Sequence, residues 1–206
     1  MLDRYLTLGA PFEFEPDPVK GSRFLVDMAP AGDPDAAMAF VKIVQARYPD
    51  ATHHCFAWRI GPEGKETRAN DDGEPGGSAG RPILAQIEGH EVCDVVVVVT
   101  RYFGGTKLGV GGLMRAYGGA AGQALDRAPI EEREITEPWA IAFPYSCSGA
   151  VEGVLHAHRL ALIDAEYGEQ VSGRIVVPRA LAAPLAQELV ERTGGRAQVR
   201  PWNEGA

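Results

Sequence analysis

Five consecutive valines, Val95–Val99, constrain the fold more than any other feature of this chain. A strand with one wet face alternates apolar and polar residues. This one does not, so Asp94–Thr100 is expected to be a strand buried on both faces. The apolar run is far too short to cross a bilayer. The chain then enters Gly104–Gly122, a glycine-studded stretch that reads as a turn followed by a helix over Leu108–Arg127. Each glycine inside an isolated helix weakens it by roughly 1 kcal/mol. Such a helix makes sense only where it packs very close to a sheet or a ligand.

Charge singles out the same region. No acidic side chain occurs between Asp94 and Asp126, where Arg101, Lys107 and Arg115 are the only charges, although the net charge of the protein is −8. Backbone amides at Gly104 and Gly105, a helix starting behind them and cations alongside suit an anion, a phosphate above all. The segment is neither a GxxxxGK[ST] phosphate loop nor a dinucleotide fingerprint. The competing reading is that the glycines allow tight packing and the cations are solvated. The overall charge excludes wholesale wrapping of nucleic acid, so any such contact needs a local basic patch.

A second candidate is the loop between Glu66 and Pro82, which carries RANDDGEPGGSAGRP and is too rich in Gly, Asp and Pro to read as regular structure. Asp71, Asp72 and Glu74 can ligate Mg²⁺ or Ca²⁺ or supply a base. The alternative is a set of turns in which these carboxylates cap backbone amides. Ser78, Arg81 and the amides of Gly76 and Gly77 can extend the anion surface. No cofactor is expected, with Mg²⁺ at the acidic loop as the alternative.

The remaining reactive side chains point to little chemistry. His54 and Cys55 are neighbours on a strand over His54–Ile60 and face opposite ways, so they form no dyad. Together with His53 they read as packing or substrate contacts. His156 and His158 read as surface residues. Cys55, Cys93 and Cys147 are odd in number and unpaired in spacing, which indicates neither a disulfide framework nor a zinc site. No nucleophile–base–orienter set can be assembled, which argues against a hydrolase. The N-terminal residues lack the pattern of a signal peptide, so the expected location is cytoplasmic, with no membrane partner.

Further along, Phe24–Ala29 reads as a strand. Asp33-Pro34 starts a helix with Ala37, Phe40, Val41, Val44 and Tyr48 on one face, stopped by Pro49. Ile83–Val92 reads as another strand. The charged stretch EEREITEP near Glu131–Pro138 marks a boundary between domains at 1–135 and 136–206. Beyond it the order is strand Trp139–Phe143, helix Ser148–His158, strands Leu162–Tyr167 and Gln170–Val177, helix Ala180–Thr193 and strand Gln198–Arg200. That is the split βαβ, ferredoxin-like order.

Four segments, KGSRF at Lys20–Phe24, HHCFAWRIG at His53–Gly61, RANDDGEPGGSAGRPIL at Arg68–Leu84 and VVVTRYFGGTKLGVGGLMRAY at Val97–Tyr117, closely resemble the YigZ/IMPACT (UPF0029) family. The resemblance covers essentially the whole first domain. The second matches bacterial two-domain members in place and length, without a sharp motif. The resemblance implies an α+β protein: an N-terminal domain like domain 2 of ribosomal protein S5, with helices on one face of a mostly antiparallel sheet, and a C-terminal ferredoxin-like domain like the last domains of elongation factor G. It also implies an association with translation and stress. The eukaryotic members act on a kinase circuit through an extra RWD domain that this sequence does not show, so that role does not carry over. Enzyme labels attached to some bacterial members, such as proline dipeptidase, find no support in these residues.

Three functions compete. The first is a non-enzymatic regulator binding RNA, the ribosome or a translation-associated protein through Arg101, Tyr102, Phe103, Gly104, Gly105, Lys107 and Arg115, with one of the two aromatics expected to be buried. The second is an enzyme acting on a phosphorylated small molecule or nucleotide, with Asp71, Asp72 or Glu74 as metal ligand or base and Arg81, Arg101 and Lys107 holding the phosphate. The third is a protein-interaction module.

Overall fold

A computed structural model describes residues 2–202. The chain divides into two compact units, Arg4–Arg133 and the part from Glu134 onward, and the residues preceding Arg4 belong with the latter. The first unit runs β1 (Arg4–Leu8), β2 (Phe12–Phe14), β3 (Arg23–Pro30), α1 (Pro34–Arg47), β4 (His53–Ile60), β5 (Glu66–Asn70), α2 (Gly80–Gly89), β6 (Val92–Cys93), β7 (Val95–Tyr102), α3 (Val110–Leu125) and β8 (Ile130–Glu134). Five strands form an antiparallel sheet in the order β2-β3-β7-β4-β5, and a smaller sheet has the order β6-β1-β8.

The valine run occupies the central strand, β7. Val95, Val97 and Val99 pack beneath α2 and α3, while Val96 and Val98 pack against α1 on the opposite face. Helices therefore cover both faces, which corrects the expectation of one covered face. A single helical layer would leave Val96 and Val98 in water, and burying a side chain of this size is worth roughly 1.5–3 kcal/mol. α1 starts as its residues require: Asp33 Oδ1 accepts the Ala36 amide at 2.7 Å, and Ala37, Val41 and Val44 are buried.

The strand expected over Ile83–Val92 is a helix, α2, for most of its length. Ile83 and Ile87 are fully buried one helical turn apart, while Ala85, which a strand would bury with them, is exposed. The period of this segment is 3.6, not 2. The loop before it is also shorter than expected, because β5 takes up Glu66–Asn70.

The second unit follows as β9 (Thr136–Pro144), a 3₁₀ turn (Tyr145–Cys147), α4 (Ser148–Ala157), β10 (Ile163–Tyr167), β11 (Gln170–Pro178), α5 (Arg179–Arg192) and β12 (Gln198–Pro201). Its antiparallel sheet has the order β10-β11-β9-β12. Ile141, Phe143, Val171, Ile175 and Val177 bury one sheet face against Val151, Leu155, Leu185 and Leu189 of the two helices. The N-terminal residues attach here: the Asp3 carbonyl accepts the Ile135 amide at 2.8 Å, and the Leu2 carbonyl accepts from Arg179 at 3.0 Å. Among the described residues no helix is long and apolar enough to cross a membrane.

Candidate functional site

Strand register assembles the site. Pairing of β3, β7 and β4 lines up Phe24, Arg101 and His53 in one row and Val26, Val99 and Cys55 in the next. Side chains alternate along β7, so the face that carries Val95, Val97 and Val99 into the core also carries Arg101 into it. Arg101 is only 5% exposed. Its Nη1 donates to Glu74 Oε1 at 2.6 Å and its Nη2 to Ser22 Oγ at 3.2 Å. Tyr117 of α3 donates its hydroxyl to the same Glu74 oxygen at 2.8 Å, and His53 Nε2 lies 3.8 Å from it. Phe24 and Phe103 place their rings 5.8 and 5.5 Å from the guanidinium. The result is a closed ion pair, hydrogen-bonded and flanked by aromatics, that pins the acidic loop onto the sheet.

The rest of the acidic loop is held by backbone groups. Asp71 accepts from the amide of Gly77 at 2.7 Å, of Ala79 at 2.9 Å and of Gly80 at 2.8 Å, which caps α2 from a distance. Burial pushes the Asp71 carboxyl up, but the three amides outweigh it and hold it below the usual carboxylate range. Asp72 accepts the His54 amide at 2.6 Å. Cys55 donates its thiol to the Asp71 carbonyl at 3.1 Å, and burial pushes that thiol up to about 12, so no thiolate is available near neutral pH. Burial, with Cys55 and Glu74 close by, raises the Tyr117 hydroxyl far above its ordinary range. Tyr117 is thus a hydrogen-bond donor and not a base.

These contacts decide which expected site residues stay available. Arg101 is corrected from a surface cation to a buried structural one, because strand alternation turns it inward. Ser78 is fully buried and cannot extend a ligand surface. Asp71, Asp72 and Glu74 face three separate sets of partners, and among the described residues no group of three or more His, Cys, Asp or Glu converges as metal ligands would. Neither aromatic is buried: Tyr102 is half-buried, with its hydroxyl on Asp50 at 3.0 Å, and Phe103 is 48% exposed. β7 ends at Tyr102, so alternation no longer governs Phe103.

The available cations are Arg81, Lys107 and Arg115, all exposed. Among the described residues none of the three has an ion-pair partner. Lys107 lies in the turn after Gly104 and Gly105, just before α3. That helix starts at Gly109 with no capping side chain and no acid in its first turn. Arg81 and Arg115 line a cleft of about 590 Å³ between α2 and α3, together with Gly76, Gly77, Pro82, Ala85, Gln86, Met114 and Gly118. No carboxylate lines it.

Two glycines show why the turn takes this path. A Cβ on Gly104 would overlap the backbone of Gly21 and Ser22, so the segments KGSRF and YFGGT touch backbone to backbone, and the Gly104 amide donates to Ser22 Oγ at 3.2 Å. In α3, Gly122 faces Gln86 of α2. The close approach expected of that helix is therefore made partly to another helix. Sequence reasoning missed Ser22 and Tyr117 as members of the site and gave His53 only a packing role. The alternation of Val95, Val97 and Val99, carried two residues further, was the signal that Arg101 turns inward and needs a buried acid.

Comparison with known proteins agrees with this arrangement. Residues 20–125 match the Impact N-terminal domain, and residues 141–196 match a domain of unknown function, DUF1949. The IMPACT family member YigZ of Escherichia coli is 36% identical over 183 residues, covering 88% of this chain and 90% of the relative. An IMPACT family member of Thermus thermophilus is 42% identical over 188 residues, covering 91% and 99%. A crystallised protein described only as hypothetical superposes with a TM-score of 0.81 at 34% identity, covering 99% of this chain and all of that one. With its first-unit motifs meeting around one buried ion pair and its relatives matched nearly end to end, the chain belongs to the IMPACT family.

Proposed function

We propose that this protein is a non-enzymatic regulator that binds RNA, the ribosome or a translation-associated protein through the exposed part of its glycine-rich face. The observation that carries this reading is the grouping of Arg81, Lys107 and Arg115, without partner acids, around the starts of α2 and α3 on a protein of net charge −8. Such a patch is a local electrostatic footprint on an otherwise repulsive body. Phe103, exposed beside it, offers a ring for stacking. The layer orders support the finer fold reading, an S5 domain 2-like first unit and a ferredoxin-like second unit, and with it the kinship to translation proteins. The contact surface excludes Arg101, whose role is to hold the loop that carries Arg81.

The test is binding of the purified protein to single-stranded RNA, duplex RNA and ribosomes across a salt series. Binding should weaken with salt, and Lys107→Glu with Arg115→Glu should reduce affinity at least tenfold with the fold intact by circular dichroism. Wild-type affinity in the double variant would sink the reading. A second reading, an enzyme acting on a phosphorylated small molecule, draws on the concavity between α2 and α3. It predicts turnover of a phosphorylated substrate that is lost in Arg81→Ala with Arg115→Ala.

A further inference from the structure

The four-stranded sheet of the second unit carries α4 and α5 on one face and leaves the other open. Register defines that open face. One cross-strand row sets Arg174 of β11, Ala140 of β9 and Arg200 of β12 side by side; the next sets Glu166, Ser172, Ala142 and Gln198. Small residues on the central strand let the surface sink between longer side chains. These residues, with Trp202, enclose a trough of about 320 Å³.

Its chemistry is specific. Trp202 is 42% exposed and anchored by its amide, which donates to the Pro138 carbonyl at 2.9 Å. The Arg174 guanidinium lies 5.9 Å from the Trp202 ring and is fixed by Asp164 at 3.0 Å. The two give a pre-set flat platform. Arg200 has no ion-pair partner among the described residues. Its Cα lies two strand spacings from that of Arg174, roughly 10 Å, which leaves room for a flat ring over Ala140 with an anion at Arg200. Ser172, Gln198 and Glu166 supply a hydroxyl, an amide and a carboxylate acceptor one row further on. Donors and acceptors beside a stacking ring and one free cation match a nucleobase edge, its ribose and a single phosphate. The carboxylates Asp164 and Glu166 make the trough a poor fit for an acidic peptide or for the dense charge of a duplex.

We infer that the open face of the second-unit sheet holds one unstacked nucleotide of a single-stranded RNA, its base on Trp202 and Arg174 and its phosphate on Arg200. This site is separate from the glycine-rich face of the first unit and does not depend on it. The test uses the full chain carrying Lys107→Glu and Arg115→Glu, which removes the first-unit contribution, and a labelled oligouridine. Ultraviolet crosslinking followed by peptide mapping should place RNA on the segment that ends in Trp202. Trp202→Ala and, separately, Arg200→Glu should each weaken the remaining binding about tenfold, because loss of a single stacked base or phosphate contact has effects of that order. Crosslinks confined to the first unit, or no binding in this background, would overturn the inference. Uridine monophosphate binding as tightly as the oligomer would instead make the trough a metabolite site. A protein partner lost on Trp202→Ala while oligouridine affinity stays unchanged would make it a protein contact.

Discussion

Arg101 and Glu74 form a buried pair whose halves are worth little apart. Removing one partner of such a pair leaves a desolvated charge and costs on the order of 3–5 kcal/mol. Arg101→Ala and Glu74→Ala should each lower unfolding free energy by about that much in chemical denaturation, and the double variant should lose much less than the sum. Additive losses would show that the two side chains act independently. A second buried acid lies across the sheet: Asp27 pairs with Arg47 at 2.7 Å, Arg47 also bonds Glu13, and burial of Asp27 raises its carboxyl to about 6. The folded protein then holds this proton more tightly than the unfolded chain does. Stability should fall as pH rises from about 4 to about 6, by at most about 3 kcal/mol from this group. Asp27→Asn should flatten that part of the profile, measured by denaturation at several pH values. From sequence Arg101 was visible as an isolated cation, but its partner was not. Glu74 lies 27 positions away in a loop whose path is set by Asp71 and the backbone amides it holds, and no local pattern encodes that path.

At the level of elements, close backbone approaches dominate the first unit. Gly104→Ala would drive a methyl group into the backbone of Gly21, which cannot yield as a flexible side chain can. It should destabilise by roughly 2–4 kcal/mol. Gly119 lies exposed inside α3 with open space at its Cβ position, so Gly119→Ala should stabilise by roughly 0.5–1 kcal/mol. Thermal melts of the two variants, moving in opposite directions, would separate glycines required for space from those the helix merely tolerates. α1 and every element of the second unit were legible, because each carries its own periodicity and, at α1, its own cap. α2 was not: its first turn is capped by Asp71 from outside the helix, and two buried isoleucines four apart are too few to fix a period. β1 and β2 went unread because short strands rely on partners distant in sequence.

For the whole molecule, the free cations of the first unit matter because the rest of the protein repels polyanions. A body of net charge −8 should make RNA affinity steep in salt yet shallow in count, with a log–log slope set by roughly two or three phosphates. The slope should drop by about two in the Lys107→Glu and Arg115→Glu variant; an unchanged slope would mean that other cations make the contacts. The residues ahead of β1 bear on how such experiments are labelled. Leu2 and Asp3 bond to Arg179 and Ile135 of the second unit, although the first unit begins immediately after them. A fluorophore or affinity tag joined at the amino terminus therefore reports on the far end of the polypeptide. A donor–acceptor pair meant to span the two units needs one of its dyes within Arg4–Arg133.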